Sequence, residues 1–359
     1  VSCTNLTFAT AVPYSVGAKP QMIALGDFNG DGILDLAAIN FNGNTVSVLL
    51  GVGSGRFGTQ ATFPVGINPI SIVVGDFCGD GRLDLAVVNY SDDTMSVLLG
   101  TGTGSFGAQI IYSTGFQPCW IVTGDLNGDG RLDLVVVNSY SSNVGVFLGN
   151  DSGNFGPQTT YPTIASAALV VINDFNGDAH LDLVVISSSW PTISVLLGTG
   201  SGTFRSQTTF VSTSRVYSAA AGDFNGDGRV DLVVSNGPPS LFNVGVLLGN
   251  GDGSFGLQTT FYAGSGSTLQ WIVINDFNGD GLTDVAVANY VSRPLIRSVS
   301  VLLGTANGSF VLKTTIATGN DSIVYGFAVA DFNNDGRLDL AVPDSKTKNR
   351  VNIFLNTCT

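Results

Sequence analysis

Every acidic residue of this chain is Asp; Glu is absent, and 21 of the 27 acids fall in seven copies of one short loop. The pattern is Asp-x-Asn-x-Asp-Gly-x-x-Asp. Such spacing points to an oxygen cage for a hard divalent cation, Ca²⁺ above all: positions 1, 3, 5 and 9 offer side-chain oxygens, position 7 a backbone carbonyl, and the Gly at position 6 permits the sharp turn. The first loop supplies Asp27, Asn29, Asp31, Ile33 and Asp35, and the second Asp76, Asp80, Arg82 and Asp84. The third supplies Asp125, Asn127, Asp129, Arg131 and Asp133; the fourth Asp174, Asn176, Asp178, His180 and Asp182; the fifth Asp223, Asn225, Asp227, Arg229 and Asp231. The sixth supplies Asp276, Asn278, Asp280, Leu282 and Asp284, and the seventh Asp331, Asn333, Asp335, Arg337 and Asp339. Ile33, Arg82, Arg131, His180, Arg229, Leu282 and Arg337 enter only through their carbonyls.

An EF-hand opens the same way but closes with a bidentate Glu at position 12, on a helix. Position 12 of the first loop is Ala38, so that reading fails; a metal-free Asp-Gly turn would not need four spaced ligands seven times over. Two loops depart from the pattern. Cys78 stands at position 3 of the second, where a thiol suits a hard cation poorly, so that site is predicted to be the weakest. Ala179 replaces Gly in the fourth, placing a Cβ in a left-handed turn at a cost of about 1 kcal/mol; that site is predicted intact but strained. Seven Ca²⁺ would add +14 to the formal charge of −13, leaving about +1, so the acidity is expected to be neutralised internally.

Loop starts lie 49 residues apart four times, then 53 and 55 apart. Within one unit, 71–75, 83–89, 94–99 and 108–113 are short runs of β-branched, aliphatic and aromatic residues bounded by Gly, Asn or Asp, and no helical periodicity reaches ten residues. Each unit therefore reads as a four-stranded antiparallel meander. Seven of them predict an all-β, seven-bladed β-propeller forming a single domain over residues 1–359. The last unit lacks an outer strand, which the segment around residues 6–14 is expected to supply, closing the ring and removing a sheet edge. Closure would bring Cys3 beside Cys358, predicting a disulfide, whereas Cys78 and Cys119 should sit at opposite ends of a strand and stay unpaired.

The repeated DFNGDG-x-x-DL motif, with SVLLG…SFG after it, resembles the FG-GAP/VCBS repeat family, whose blades form the propeller head of integrin α chains. The resemblance spans essentially the whole chain. It implies calcium loops between the first and second strands of each blade, and it is not specific for a ligand.

No apolar run approaches a membrane span, and Val1 at the start suggests a removed secretory segment, so a secreted protein with neither nucleic-acid nor membrane partner is expected. Asn5, Asn89, Asn150, Asn307 and Asn320 head glycosylation sequons. Catalysis lacks its usual groups: the one His lies in a loop, and the six remaining Asp are scattered, so no catalytic residue is assigned. Sequence divergence falls instead at the strand ends opposite the acidic loops. Trp120, Trp190, Tyr217, Trp271, Tyr290 and Tyr325, beside amides such as Asn40, Asn89 and Gln270, would suit a carbohydrate or an extracellular protein surface. A recognition or adhesion module, lectin-like, is the favoured reading. A self-assembling structural component and an enzyme are the alternatives.

Overall fold

A computed structural model describes residues 6–237, 243–264, 268–292, 295–318, 326–345 and 348–358. It contains seven four-stranded antiparallel sheets, together with a small two-stranded ribbon at residues 51–57. The chain is a seven-bladed β-propeller. Blade one comprises Pro20–Gly26, Asp35–Asn40, Thr45–Leu49 and Ala61–Pro64, in that order from the axis outward.

Burial follows from radial packing. The first six residues of the second strand of every blade, DLAAIN in blade one and DLVVVN in blade three, are all buried, because neighbouring blades cover both faces. Outer strands such as Ala61–Pro64 are mostly exposed. The apolar core divides into seven clusters, each shared by two adjacent blades; one of them joins Leu36 and Ala38 of blade one to Ala341 and Ile353 of the last blade. The ring is therefore continuous.

Closure occurs as the repeat count predicts. Val12–Ser15 pairs antiparallel with Arg350–Phe354 to complete the blade that contains Asp339–Asp344. The pairing continues toward the chain ends through a bridge between Phe8 and Asn356 and a 2.8 Å hydrogen bond from Thr357 N to Thr7 O. Cys358 is buried at the end of this seam. Cys3, its predicted partner, lies outside the described residues, as do Asn5, Asn320 and Tyr325.

Candidate metal loops and ligand face

Each acidic loop joins the first strand of a blade to the second, and the backbone holds its carboxylates. In loop one, Asp27 Oδ1 accepts from Gly30 N at 2.8 Å and Asp31 N at 3.2 Å, while Oδ2 accepts from Gly32 N at 2.8 Å. Asn29 Oδ1 accepts from Asp31 N, and Asp31 Oδ1 from Ile33 N. The same amide-to-carboxylate bonds return at Asp76, Asp125, Asp174, Asp223 and Asp276, and in part at Asp331. Position 7 donates its N–H to the position-5 carboxylate in every copy: Ile33, Arg82, Arg131, His180, Arg229, Leu282 and Arg337.

Position 9 does more than its type suggests. Asp35 is fully buried, and its two oxygens accept from Phe28 N at 2.8 Å and Gly51 N at 2.7 Å, tying the loop to the start of the second strand and the end of the third. Asp84, Asp133, Asp182, Asp231 and Asp284 repeat both contacts, and Asp339 uses Asn356 N in place of the glycine. Burial pushes all seven carboxyls above the usual carboxylate range, to about 6 at Asp182, Asp284 and Asp339. A buried carboxylate raised in this way is a group that a divalent cation would stabilise.

In five of the seven loops the phenylalanine at position 2 anchors the loop to the next blade, and loop three has Leu126 in that place. Phe28 meets Phe106 edge-on at 5.5 Å, and the pairs Phe77–Phe155, Phe175–Phe255, Phe224–Phe310 and Phe332–Phe57 repeat the contact. Loop geometry is thus coupled to blade packing.

The donor set fits Ca²⁺: all oxygen, two carboxylates near the surface, one amide and one buried carboxylate. In six loops the Asn at position 3 donates Nδ2 to the position-5 carboxylate at 2.9–3.1 Å, a bond that metal ligation would replace. Loop two differs. Asp76, Cys78 and Asp84 are the one group of three Cys or Asp side chains, among the described residues, whose ligand atoms lie within 4.8 Å of one another. Burial pushes the Cys78 thiol up to about 11, so it is protonated at neutral pH and a poor ligand. In loop four Ala179 takes φ 65°, and its N–H still reaches Asp174 Oδ2 at 2.8 Å. In loop seven Asn334 takes the left-handed place that Gly30 holds in loop one. Three position-7 arginines bring their own cation: Arg131 and Arg337 lie 2.8 and 2.9 Å from Asp129 and Asp335, and Arg82 lies 3.5 Å from Asp80.

At the opposite end of the blades, the first strand of six blades carries an irregularity in register, between Pro20 and Ile23, Pro69 and Ser71, Pro118 and Trp120, Ala167 and Leu169, Val216 and Ala219, and Leu269 and Trp271. Such bulges re-aim side chains. The residues inside them, among them Gln21, Met22, Ile70, Cys119, Tyr217 and Gln270, line one axial cavity of about 530 Å³. Phe41, Tyr90, Trp120 and Trp271 complete its walls. The rings of Trp120 and Trp271, from blades three and six, lie 5.0 Å apart. Cys78 and Cys119 are both unpaired, as expected; burial pushes the Cys119 thiol up to about 12.

Of the predicted face residues, Trp120, Tyr217 and Trp271 converge on the axis. Trp190 is 61% exposed and lies apart, and Tyr290 stacks beneath the Arg297 guanidinium at 3.5 Å. A shallower cleft of about 410 Å³ groups Tyr90, Phe116, Gln117, Tyr140 and Asp93. The asparagines read as face groups are a correction. Asn40 and Asn89 are fully buried; Asn40 Nδ2 donates to Thr45 and Ser47, and Ser47 Oγ donates to Gln60. Asn89 repeats this with Thr94, Ser96 and Gln109, which leaves no room for a glycan, so its sequon is structural in this fold. Asn150 and Asn307 lie exposed in outer turns.

The profile of the FG-GAP-like repeat matches residues 27–87, 76–136, 125–185, 174–234 and 276–342, and that of the FG-GAP repeat matches 216–254. The chain belongs to the FG-GAP repeat family. No curated protein matches it in sequence. Among solved structures it is similar to BBS1N, determined in complex with ARL6DN and soaked with lead: TM-score 0.68 at 12% identity, covering 98% of each chain. It is also similar to an Agrocybe aegerita lectin described as recognising non-reducing terminal N-acetylglucosamine: TM-score 0.59 at 18% identity, covering 99% of this chain and 87% of the lectin. Identities this low establish the propeller and nothing about its ligand.

Proposed function

We propose that this FG-GAP propeller is a secreted, calcium-stabilised recognition module that binds carbohydrate or an extracellular protein through the face opposite its acidic loops and performs no catalysis. The observation that carries the reading is the axial cavity, lined by residues of six blades, five of which bring aromatic rings or amides to it. Calcium, at up to one ion per loop, stabilises the far end of each blade. A disulfide between Cys3 and Cys358 clasps the seam.

Support for a non-catalytic role comes from the five Asp residues outside the loops that the structure describes. Asp92 and Asp93 accept backbone amides, Asp151 pairs with Arg131, Asp252 caps Ser254, and Asp344 pairs with Arg350; each has a structural partner. Two relatives in fold are described with a protein partner and a sugar, which is the kind of partner proposed here. A glycan array and a panel of extracellular proteins, each screened with and without chelator, test the reading. Binding that chelation weakens supports it; turnover of a substrate, or polymers formed without ligand and no binding, would overturn it.

A further inference from the structure

The position-5 carboxylates of loops three and seven are already engaged by a cation of the protein's own. In every loop Oδ1 of that carboxylate accepts the position-7 amide, so Oδ2 is the oxygen a metal ion can take without unmaking the turn. In loop three Arg131 donates through Nη2 to Asp129 Oδ2 at 2.8 Å, and through Nη1 to Asp151 Oδ1, in the outer turn of the same blade, at 2.7 Å. In loop seven Arg337 donates to Asp335 Oδ2 through Nε at 3.2 Å and Nη2 at 2.9 Å, while Nη1 donates to Cys358 O at 2.8 Å. Each arginine thus has a second anchor that holds it over the carboxylate. Loop five has an arginine without that anchor: the Arg229 side chain runs along Gly251, which stands where the outer turn of blade three has Asp151.

We propose that Arg131 and Arg337 are resident counter-cations that set loops three and seven to a lower calcium affinity than loops one, four, five and six; the inference rests on the calcium reading above. A guanidinium on Oδ2 must leave before a metal ion takes that oxygen, and afterwards it stays tethered nearby as a like charge. Position 7 of loops one, four and six is Ile33, His180 and Leu282, which bring no permanent charge. Both arginine pairs are partly exposed, so solvent screens them. The effect per loop is about two- to fivefold in dissociation constant, the range of exposed ion pairs. Loop two combines Arg82, 3.5 Å from Asp80, with Cys78 and remains the weakest. Without metal, the same arginines neutralise one carboxylate of their loop, and Arg337 also ties loop seven to the chain end at the seam where the ring closes. Calcium therefore fills the ring in steps, and the closing blade depends on it least.

The position-6 amides report the loops one by one, since each donates to the position-1 carboxylate: Gly32, Gly130, Gly228, Gly281 and Gly336, at 2.7–2.8 Å. Calcium, buffered by a competing chelator, is titrated into the metal-stripped full chain, and these signals are followed in a nitrogen-15 correlation spectrum. Arg131→Met and Arg337→Met are titrated alongside. The expected result is half-saturation of Gly130 and Gly336 at about two- to fivefold more calcium than Gly32, Gly228 and Gly281. Arg131→Met should bring down the Gly130 midpoint alone, and Arg337→Met that of Gly336 alone, while each variant melts lower than the parent in chelator. A merely structural arginine would give the lower melt without the tighter calcium. A Gly130 midpoint unchanged or raised in Arg131→Met, or equal midpoints at all five glycines of the parent, would refute the proposal and leave the calcium reading standing. No movement of any of the five at millimolar calcium would refute both.

Discussion

Asp31 and Asp35 belong to the same loop, and their substitution by Asn separates metal binding from architecture. Asp35 is fully buried and accepts two backbone amides. In Asp35→Asn one of those donors faces an NH₂ group, and the loss of a charged, buried hydrogen bond costs roughly 1.5–3 kcal/mol with or without metal. At roughly 2.1 cal/mol/K per residue, unfolding all 359 residues as one unit carries about 750 cal/mol/K, so each kcal/mol lowers Tm by about 1.3 °C. The expected drop in chelator is therefore about 2–4 °C. Asp31 is exposed and holds only loop contacts, so Asp31→Asn should leave the chelated protein almost unchanged. In calcium the two converge, because both lose a ligand. A site at a hundredfold excess over its Kd contributes about 2.7 kcal/mol, and Asp31→Asn should lose most of that gain. Differential scanning calorimetry of both variants, in chelator and in calcium, makes the comparison. Equal destabilisation by the two in chelator, or no effect of Asp35→Asn there, would refute the division of labour.

In chelator, stability should fall as pH rises from about 4 through about 6, since burial raises the Asp182, Asp284 and Asp339 carboxyls to about 6 and the folded state then holds more protons than the unfolded chain. Millimolar calcium should reverse the order, because protons and metal compete for the same oxygens; melting at pH 5 and pH 7 checks both signs. Gly100→Ala would place a Cβ 2.2 Å from Leu83 O, so it should destabilise more than a surface substitution such as Arg56→Ala; a rise in Tm would contradict the close approach. Expressed in a eukaryotic secretory host, the chain should carry glycan at Asn150 and Asn307 and none at Asn89, readable by peptide mass mapping.

The blades, their number and their closure were legible because the repeat places one loop and four short apolar runs at a fixed period, and because the last unit is one strand short. The axial cavity was legible only in part. Alternation alone cannot show which side of a strand Gln21 or Tyr217 faces once a bulge breaks the register. Position 9 reads as a ligand from its spacing; its further contact with the end of the third strand, 16 or more residues away, is one that local spacing does not reveal. Asn40 and Asn89 were misassigned for a related reason: their partners are Ser47 and Ser96 on the next strand. A signal for that network was present in the recurrence of Gln60, Gln109, Gln158, Gln207 and Gln258, each three residues after an outer-turn Phe.

The most direct test of the central claim is native mass spectrometry of the full chain after exchange into millimolar calcium, with its thermal melt followed in parallel. Six or seven tightly held calcium ions per chain, the second loop filling last, and a large drop in Tm on chelation are the predicted result. A chain that holds no calcium and melts at the same temperature with and without chelator would contradict it.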